Sequence, residues 1–256
     1  MNPDVEPLLS LNELSKAYGA IQASRGVTFD IFPNEVVAMV GDNGAGKSTI
    51  VKMLAGVVKP DSGTIKWQGN EFSPEGPDSV REAGIETMFQ DLALVNDIDA
   101  PGNLFMGQEL VRRLFGFIPV LDRKKMRSET EKLLDQIKIK LQSLDRPVRL
   151  MSGGQRQAIA IARILLSQKA SLIILDEPTA ALGIQEQEKV LNVIRSLHSQ
   201  GLSVLVISHN LEHVFSVADR IVVVQAGRIA ASVATKDVSH QDVVKLIMGG
   251  TLEGKK

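Results

Sequence analysis

The chain contains, at residues 36–54, the run VVAMVGDNGAGKSTIVKML. An apolar stretch, Val36–Val40, leads directly into the pattern G-x-x-x-x-G-K-[ST], and apolar residues at helical spacing follow it. Glycines let the backbone turn its N–H groups toward phosphate oxygens, and the start of the following helix adds the positive end of its dipole. Strand, loop and helix occur in the required order, so the run predicts a nucleoside triphosphate site, and a chance match is the weaker interpretation.

The residues of this phosphate loop, 41–49, have separate expected tasks. Lys47 is placed to reach the β- and γ-phosphates, and the hydroxyl of Ser48 to coordinate Mg²⁺. The expected nucleotide-binding residues are Gly41, Asn43, Gly44, Ala45, Gly46, Lys47, Ser48 and Thr49.

Val36–Val40 and two further apolar runs, at 172–175 and 204–207, predict strands that are buried on both faces, as in a parallel sheet covered by helices. The run at 221–224 predicts a further strand. These runs alternate with helical patterns, which indicates an α/β fold, and Gly227 is expected to form a turn after the last run. Apolar residues at helical spacing are Leu133, Leu134, Ile137 and Leu141 in one set and Val190, Leu191, Ile194 and Leu197 in another. Residues from about 92 to 149 interrupt this alternation, which predicts an inserted, mainly helical subdomain.

An acidic pair, Asp176 and Glu177, follows the run at 172–175. Ligands of α/β folds bind at the carboxyl ends of the strands. There Asp176 would hold Mg²⁺, directly or through water, and Glu177 would polarise an attacking water. An acidic pair that simply ends a strand in solvent is the alternative, and the phosphate loop favours the functional interpretation.

Composition excludes several classes of protein. The 256 residues contain no cysteine, which excludes disulfides and thiol chemistry, and 29 basic against 30 acidic residues disfavour a general nucleic-acid binder. The start, residues 1–6, is acidic and unlike a signal peptide, and no apolar run reaches the length of a membrane span.

A second helix start lies at residues 151–157, which read MSGGQRQ. Ser152 and Gln155 have the spacing of a capping box, and the Gly-Gly start with free N–H groups is also an anion site. The helix beginning there, apolar nearly all round over 158–166, is expected to be buried. The chain thus has two phosphate-binding helix starts, although one ATP has one γ-phosphate.

With these motifs, nearly the whole chain, from about Leu8 to Gly249, resembles the ATP-binding cassette (ABC) family. The resemblance implies a P-loop NTPase of class α/β, with a mainly parallel core sheet, an antiparallel β subdomain and an inserted helical subdomain. It implies a single ABC ATPase domain with a core at about 8–91 and 166–249 and a helical subdomain at about 92–165. ATP and Mg²⁺ are the implied ligands, with 41–49 as Walker A, 172–176 as Walker B and Glu177 as the catalytic carboxylate.

The resemblance assigns three more residues to the ATP site. Gln90 would contact Mg²⁺ and water, His209 would contact the γ-phosphate, and Tyr18 would stack on adenine. A surface aromatic on a strand is an equally good interpretation of Tyr18 alone.

In this family the segment Ser152, Gly153, Gly154 and Gln155 binds the ATP held by a second cassette in a head-to-tail pair. This would explain the two anion sites, because each chain supplies two half-sites. A homodimer is the expected form, with a heterodimer left open. The chain departs from the family pattern at two positions. Met151 stands where leucine is commonest, and Gly183 stands where many cassettes have an aspartate. Gly183 puts in doubt the contact that this aspartate's carboxylate usually makes across the dimer.

The sequences of four segments resemble those of the ATPases of bacterial monosaccharide importers of the ribose, xylose and fructose type. The segments are 88–95, 103–107, 179–183 and 207–211. The implied partners are permease subunits and, indirectly, a periplasmic or extracellular sugar-binding protein, with no nucleic acid. The implied location is the cytoplasmic face of the membrane, as a peripheral subunit. Residues 91–106 would lie beside the permease. The apolar patch 114–121 would either help to dock it or form ordinary core, and full burial would end the docking idea.

Two alternatives remain at this point. One is a ribosome- or DNA-associated ATPase of the same superfamily, although neither a second cassette nor a coiled coil is present in the sequence. The other is a nucleotide-gated regulatory subunit with low turnover, which Gly183 mildly favours.

Overall fold

The computed structural model describes residues 5–137, 139–167, 169–180 and 182–251, so the first four residues of the acidic start lie outside it. The chain forms two compact units. The first, here the core unit, comprises residues 1–87, 169–178 and 194–256, and the second, here the inserted unit, comprises 88–168 and 179–193.

The strands are β1 Leu9–Tyr18, β2 Ile21–Ile31, β3 Val36–Val40, β4 Ser62–Trp67, β5 Asn70–Glu71, β6 Ile85–Met88, β7 Val111–Leu114, β8 Ile118–Leu121, β9 Leu172–Asp176, β10 Ser203–Ile207, β11 Arg220–Gln225 and β12 Arg228–Ala234. The α-helices are α1 Lys47–Leu54, α2 Pro77–Glu82, α3 Ala100–Leu104, α4 Arg123–Gln136, α5 Gly153–Ile164, α6 Ile184–Ser199, α7 Leu211–Val217 and α8 His240–Ile247. Within the described residues, none of these helices has the length and hydropathy to cross a membrane.

A six-stranded sheet of order β12–β11–β3–β10–β9–β6 forms the centre of the core unit. β3 pairs in parallel with β10 and β11, and β10 pairs in parallel with β9, while β12 returns antiparallel after a turn at Gly227. Every residue of β3, β9 and β10 is buried, because helices cover parallel strands on both faces. The four strands predicted from apolar runs are therefore confirmed, as is the α/β fold class with its mainly parallel core sheet.

A second sheet of the core unit has the order β2–β1–β4–β5 and is antiparallel. Leu9, Leu11 and Leu14 of β1 are buried on one side of it. This is the antiparallel β subdomain that the resemblance implied.

The inserted unit contains α3, α4 and α5, and α5 is buried along 157–162 as expected. One helix prediction is wrong at its end: α4 stops at Gln136, so Leu141 does not continue the face of Leu133 and Leu134. The N–H of Ile139 bonds to the carbonyl oxygen of Leu134, 2.9 Å away, which closes the helix with a wide turn instead of a further helical bond. Another difference is the two-stranded sheet of β7 and β8, which occupies most of the patch 114–121.

Candidate nucleotide site

The phosphate loop joins the buried end of β3 to the first turn of α1. Lys47, the first residue of α1, is buried, and its Nζ donates to the carbonyl oxygens of Gly41 (2.7 Å) and Asp42 (2.9 Å). The ammonium group is thus held above the start of the helix, where backbone N–H groups favour an anion. This arrangement gives the loop the geometry of a phosphate site.

Two glycines of the loop lie against the backbone of neighbouring strands. A Cβ atom on Gly41 would lie 2.1 Å from the carbonyl oxygen of Val224, and one on Gly46 would lie 2.3 Å from that of Ala23. Both residues also have positive φ angles, +150° and +108°. No other residue type fits either position, because both the space and the backbone conformation exclude a side chain.

Asp176 ends β9 with its carboxylate buried close enough to Lys47 for their charges to interact. Burial raises the pKa of Asp176 and the negative charge of Glu177 raises it further, while Lys47 and Lys52 act in the opposite direction. Burial likewise lowers the pKa of Lys47, and Glu177, Asp176 and Asp42 oppose that shift. Two adjacent carboxylates with one buried ammonium suit a hard divalent cation, for which Asp176 and the exposed hydroxyl of Ser48 could supply oxygen ligands.

Glu177 and His209 meet at the carboxyl ends of neighbouring strands. His209 Nδ1 lies 2.9 Å from Glu177 Oε2, and the glutamate is mostly buried whereas the histidine is mostly exposed. The N–H of Glu177 bonds to the carbonyl oxygen of Ile207, and its φ angle is +50°. A glutamate in the left-handed region carries backbone strain, and such strain is typical of functional sites. The pair forms a carboxylate–imidazole unit that can orient a water.

Tyr18 lies at the end of β1 with its ring about half exposed, paired across the hairpin with Ile21. Two residues further along β2, the carbonyl oxygen of Ala23 approaches Gly46 of the phosphate loop. The hairpin tip that carries Tyr18 is therefore anchored beside the loop, which keeps the stacking interpretation open.

The remaining expected site residues lie in the inserted unit. Ser152 caps α5: its Oγ accepts the N–H of Gln155 (3.3 Å), and its own N–H donates to Gln155 Oε1 (3.0 Å). The capping box expected from the sequence is present. Gly153 and Gly154 form the first turn, and their N–H groups lie at the start of α5, where an anion is favoured.

Gln90 follows β6 and is exposed. The segment around it is bonded to α5, because Gln157 Nε2 lies 3.5 Å from Met88 Sδ and Arg163 donates to the carbonyl oxygens of Leu92 (3.0 Å) and Ala93 (3.1 Å). Sequence reasoning missed this connection, because neither Gln157 nor Arg163 differs from an ordinary helix residue.

Sequence reasoning also missed Glu186 in the first turn of α6. A Cβ atom on Gly154 would lie 2.2 Å from Glu186 Cγ, and one on Gly183 would lie 2.7 Å from Glu186 Oε2. A carboxylate therefore lies beside Gly183 although that position itself carries no side chain. Ala181, in the same loop, lies outside the described residues.

Taken unit by unit, the structure brings the expected site residues together in two groups. The core unit joins the phosphate loop, Asp176, Glu177 and His209, with the Tyr18 hairpin anchored beside the loop. The inserted unit joins Ser152–Gln155 to the segment at Gln90 through α5. The first group suits the phosphates of a nucleotide. The second contains the start of α5, which is a separate place where an anion is favoured.

A family model described as "ABC transporter" matches residues 24–180, more than half of the chain. The chain belongs to the ABC transporter family. As an ABC ATPase it binds and hydrolyses ATP.

Similar proteins agree with this assignment. The cassette is 40% identical over 240 residues to the "Xylose/arabinose import ATP-binding protein XylG" of Sulfolobus acidocaldarius, covering 94% of this chain and 93% of that protein. It is 38% identical over 247 residues to the "Fructose import ATP-binding protein FrcA" of Rhizobium meliloti, covering 95% of each. A solved structure, the ADP conformation of MJ1267, "an ATP-binding cassette of an ABC transporter", matches with a TM-score of 0.80 at 25% identity, covering 95% of the cassette and 99% of that chain. These relatives do not support the ribosome- or DNA-associated alternative.

Proposed function

We propose that the cassette is the motor subunit of an importer for a monosaccharide. The relatives above are import ATP-binding proteins for xylose/arabinose and for fructose, and both align with the cassette over nearly their whole length. The observation that carries the catalytic part of the proposal is the contact of 2.9 Å between Glu177 and His209 at the strand ends beside the phosphate loop.

In this mechanism the core unit holds the triphosphate. The loop residues Gly41, Asn43, Gly44, Ala45, Gly46, Lys47, Ser48 and Thr49 surround the phosphates, and Lys47 neutralises the β- and γ-phosphate oxygens. Asp176 and Ser48, with Gln90, would hold Mg²⁺, which when bound offsets the charge that develops on the phosphates. Tyr18 would stack on the adenine from the anchored hairpin.

Glu177 would orient the attacking water and accept its proton as the new bond to the γ-phosphorus forms and the bond to the bridging oxygen breaks. His209 lies 2.9 Å from that carboxylate and would fix its position. It would also contact the γ-phosphate. Such general-base assistance contributes about 10²- to 10⁴-fold to a rate.

The inserted unit would serve the ATP of a second cassette through Ser152, Gly153, Gly154 and Gln155. In the capping box the Ser152 oxygen accepts a bond, which leaves the hydroxyl hydrogen available to donate to phosphate. Binding of two nucleotides would close a head-to-tail pair, homodimeric if no second kind of cassette is present, and hydrolysis would reopen it.

A groove of about 680 Å³ in the inserted unit supports a membrane partner. Among its lining residues are Ile98, Met106 and Leu121, which are large apolar side chains left partly exposed. We assign this groove, within the helical subdomain at about 92–165, to a permease subunit. The cassette would then be a peripheral subunit at the cytoplasmic face of the membrane. The sugar would be delivered to that permease by a separate binding protein.

The catalytic assignment is tested with Glu177→Gln. We expect the variant to bind Mg-ATP normally, to hydrolyse it at least about 100-fold more slowly, and to accumulate as a closed dimer in size-exclusion chromatography with ATP. Glu82→Gln, at an exposed position at the end of α2, is the matched control and should behave like the parent. Hydrolysis by Glu177→Gln at the parental rate would show that another group is the general base.

Transport is tested separately, in vesicles that contain a monosaccharide permease with which the cassette assembles. We expect hydrolysis to rise when a sugar-loaded binding protein is added, and to stay basal with the empty binding protein. Hydrolysis that stays the same with the sugar-loaded and the empty binding protein would contradict the proposed role in monosaccharide import.

A further inference from the structure

The β7–β8 hairpin of the inserted unit presents an exposed aromatic tip. Its turn, residues 115–117, carries Phe115 and Phe117, whose exposed fractions are 80% and 74%, and Ile118 and Leu121 are also exposed. Burial of this patch was the outcome that would have ended its role in docking, and the structure shows the opposite. Two neighbouring phenylalanine rings in solvent require an explanation outside the folded unit.

The backbone at the tip argues in the same direction. The N–H of Phe117 bonds to the carbonyl oxygen of Leu114 (3.3 Å), and Phe115 and Gly116 within this turn have φ angles of +51° and +82°. Asparagine, aspartate or glycine relieves strain at such a turn position, whereas a bulky ring is unfavourable there. Because the ring of Phe115 is mostly in solvent, folding gains little packing from it in return.

Positive charge lies along β7 and at the base of the hairpin. β7 carries two exposed arginines, and the first turn of α4, which starts just after β8, carries three further exposed cations. The five cations are Arg112, Arg113, Arg123, Lys124 and Lys125. Asp122 is the one carboxylate in residues 111–125, so five positive charges and one negative charge give this segment +4, against −1 for the whole chain. Cations in the first turn of a helix oppose its dipole, so helix stability does not account for them.

We propose that this hairpin enters the headgroup layer of a bilayer that contains anionic lipid. The rings of Phe115 and Phe117 would lie at the boundary between headgroups and acyl chains, and Arg112 and Arg113 of β7 would contact lipid phosphates. The inference extends the proposed function, which places the cassette at a membrane, by giving the chain its own contact with lipid.

Charge distinguishes this occupant from the other candidates. A second copy of the chain would bring the same +4 segment to a symmetric contact, so two hairpins would repel each other. A hydrophobic pocket in a protein partner would accept the rings but has no need of the cations on both sides of them. Anionic lipid satisfies the rings and the charges together.

The test is co-sedimentation of the full chain with vesicles of phosphatidylcholine alone and of phosphatidylcholine mixed with phosphatidylglycerol. We expect binding to the mixed vesicles and little binding to the neutral ones. The double variant Phe115→Asn with Phe117→Ser should bind at least about tenfold more weakly, because two buried rings are lost. Arg112→Gln with Arg113→Gln should bind about fivefold more weakly for each arginine removed.

Controls distinguish a loss of lipid binding from a loss of fold, and they test the lipid proposal independently of the ATPase assignment. Asparagine suits the backbone of Phe115, so the double variant should unfold at the same or a higher urea concentration than the parent. Met248→Gln removes another exposed apolar side chain, 78% exposed in the core unit, and should bind vesicles like the parent. ATP hydrolysis should be unchanged in every hairpin variant, so a chain that lacks ATPase activity yet binds vesicles refutes only the proposed function.

Four results would overturn the lipid proposal. The first is a parent protein that does not bind the mixed vesicles, and the second is a double variant that binds them as well as the parent. The other two are loss of association with the permease in detergent and loss of self-association in lipid-free solution by the double variant, because either would show that the hairpin is a protein contact.

Discussion

Asp176 lies in an environment that disfavours its charge. Its carboxylate is buried at the end of β9, and the next residue, Glu177, is also a carboxylate, so the pKa of Asp176 is raised. A raised pKa means that the folded chain holds this proton over a pH range in which the unfolded chain has released it. The free energy of unfolding therefore falls as pH rises through that range.

From this we expect Asp176→Asn to unfold less readily than the parent at pH 7 in the absence of nucleotide, because an amide has no charge to desolvate. The advantage should shrink as pH falls and should vanish below the ordinary aspartate value of 3.8, because the parental carboxyl is then protonated in both states. Urea titrations across this pH range measure the effect, with the exposed Asp78→Asn as control. An advantage that stays constant with pH would contradict the assignment of the shift to Asp176.

Residues with a motif were predictable from the sequence, and residues defined by packing were not. Lys47 and Asp176 stand at fixed spacing from apolar runs, so their place at the strand ends followed from parallel pairing alone. The contact between Glu186 and Gly154 depends on how one turn of α6 lies beside the start of α5, which no local pattern encodes.

At the scale of an element, the start of α5 is limited by its neighbour. Replacing Gly154 would ordinarily favour a helix, but here an added Cβ atom would lie 2.2 Å from Glu186 Cγ. The outcome depends on whether Glu186 can move away.

We expect Gly154→Ala to lower the free energy of unfolding by about 1–3 kcal/mol, the usual cost of an atom forced into occupied space. Glu186→Ala in the same chain should restore most of that loss, and Glu186→Ala alone should have little effect. Urea unfolding of the four chains forms a double-mutant cycle. If the change in the double variant equals the sum of the changes in the two single variants, the side chains at 154 and 186 do not compete for the same space.

Elements were predictable where burial is uniform. β3, β9 and β10 have apolar side chains on both faces, so their runs stood out from the rest of the chain. The hairpin of β7 and β8 was missed because its strands mix arginine, proline and apolar residues and bury neither face, which leaves no period to detect. The end of α4 was missed because Leu141 continues the apolar spacing beyond the residue where the backbone turns.

At the scale of the whole molecule, one buried ion pair joins segments that are distant in sequence. Arg220 donates to both carboxylate oxygens of Glu35 (2.7 and 2.8 Å), to Ser232 Oγ (2.8 Å) and to the carbonyl oxygen of Asp30 (2.7 Å). Glu35 also accepts the N–H of Phe32 at 2.9 Å. The cluster connects the antiparallel sheet to the six-stranded sheet within the core unit.

Arg220→Met should lower the free energy of unfolding by about 3–5 kcal/mol, because it leaves the Glu35 carboxylate buried without its partner. The double variant Glu35→Met with Arg220→Met should recover much of the loss. Arg149→Met, which removes an exposed arginine whose Nε lies 2.9 Å from Oδ1 of the exposed Asp97, is the control and should lower the free energy of unfolding by no more than about 1 kcal/mol. Urea unfolding measures all three, and an Arg220→Met variant as stable as the control would show that the pair contributes little.

The two close approaches in the phosphate loop have a consequence for how the family is compared. Gly41 and Gly46 exclude side chains because of the carbonyl groups of Val224 and Ala23, whether or not phosphate is present. A descendant of this chain that had stopped using ATP would therefore still require both glycines in order to fold, while Glu177 and His209 would be free to change. In an alignment of divergent cassettes, retention of the two glycines records a preserved architecture, and retention of the glutamate and histidine records a working enzyme.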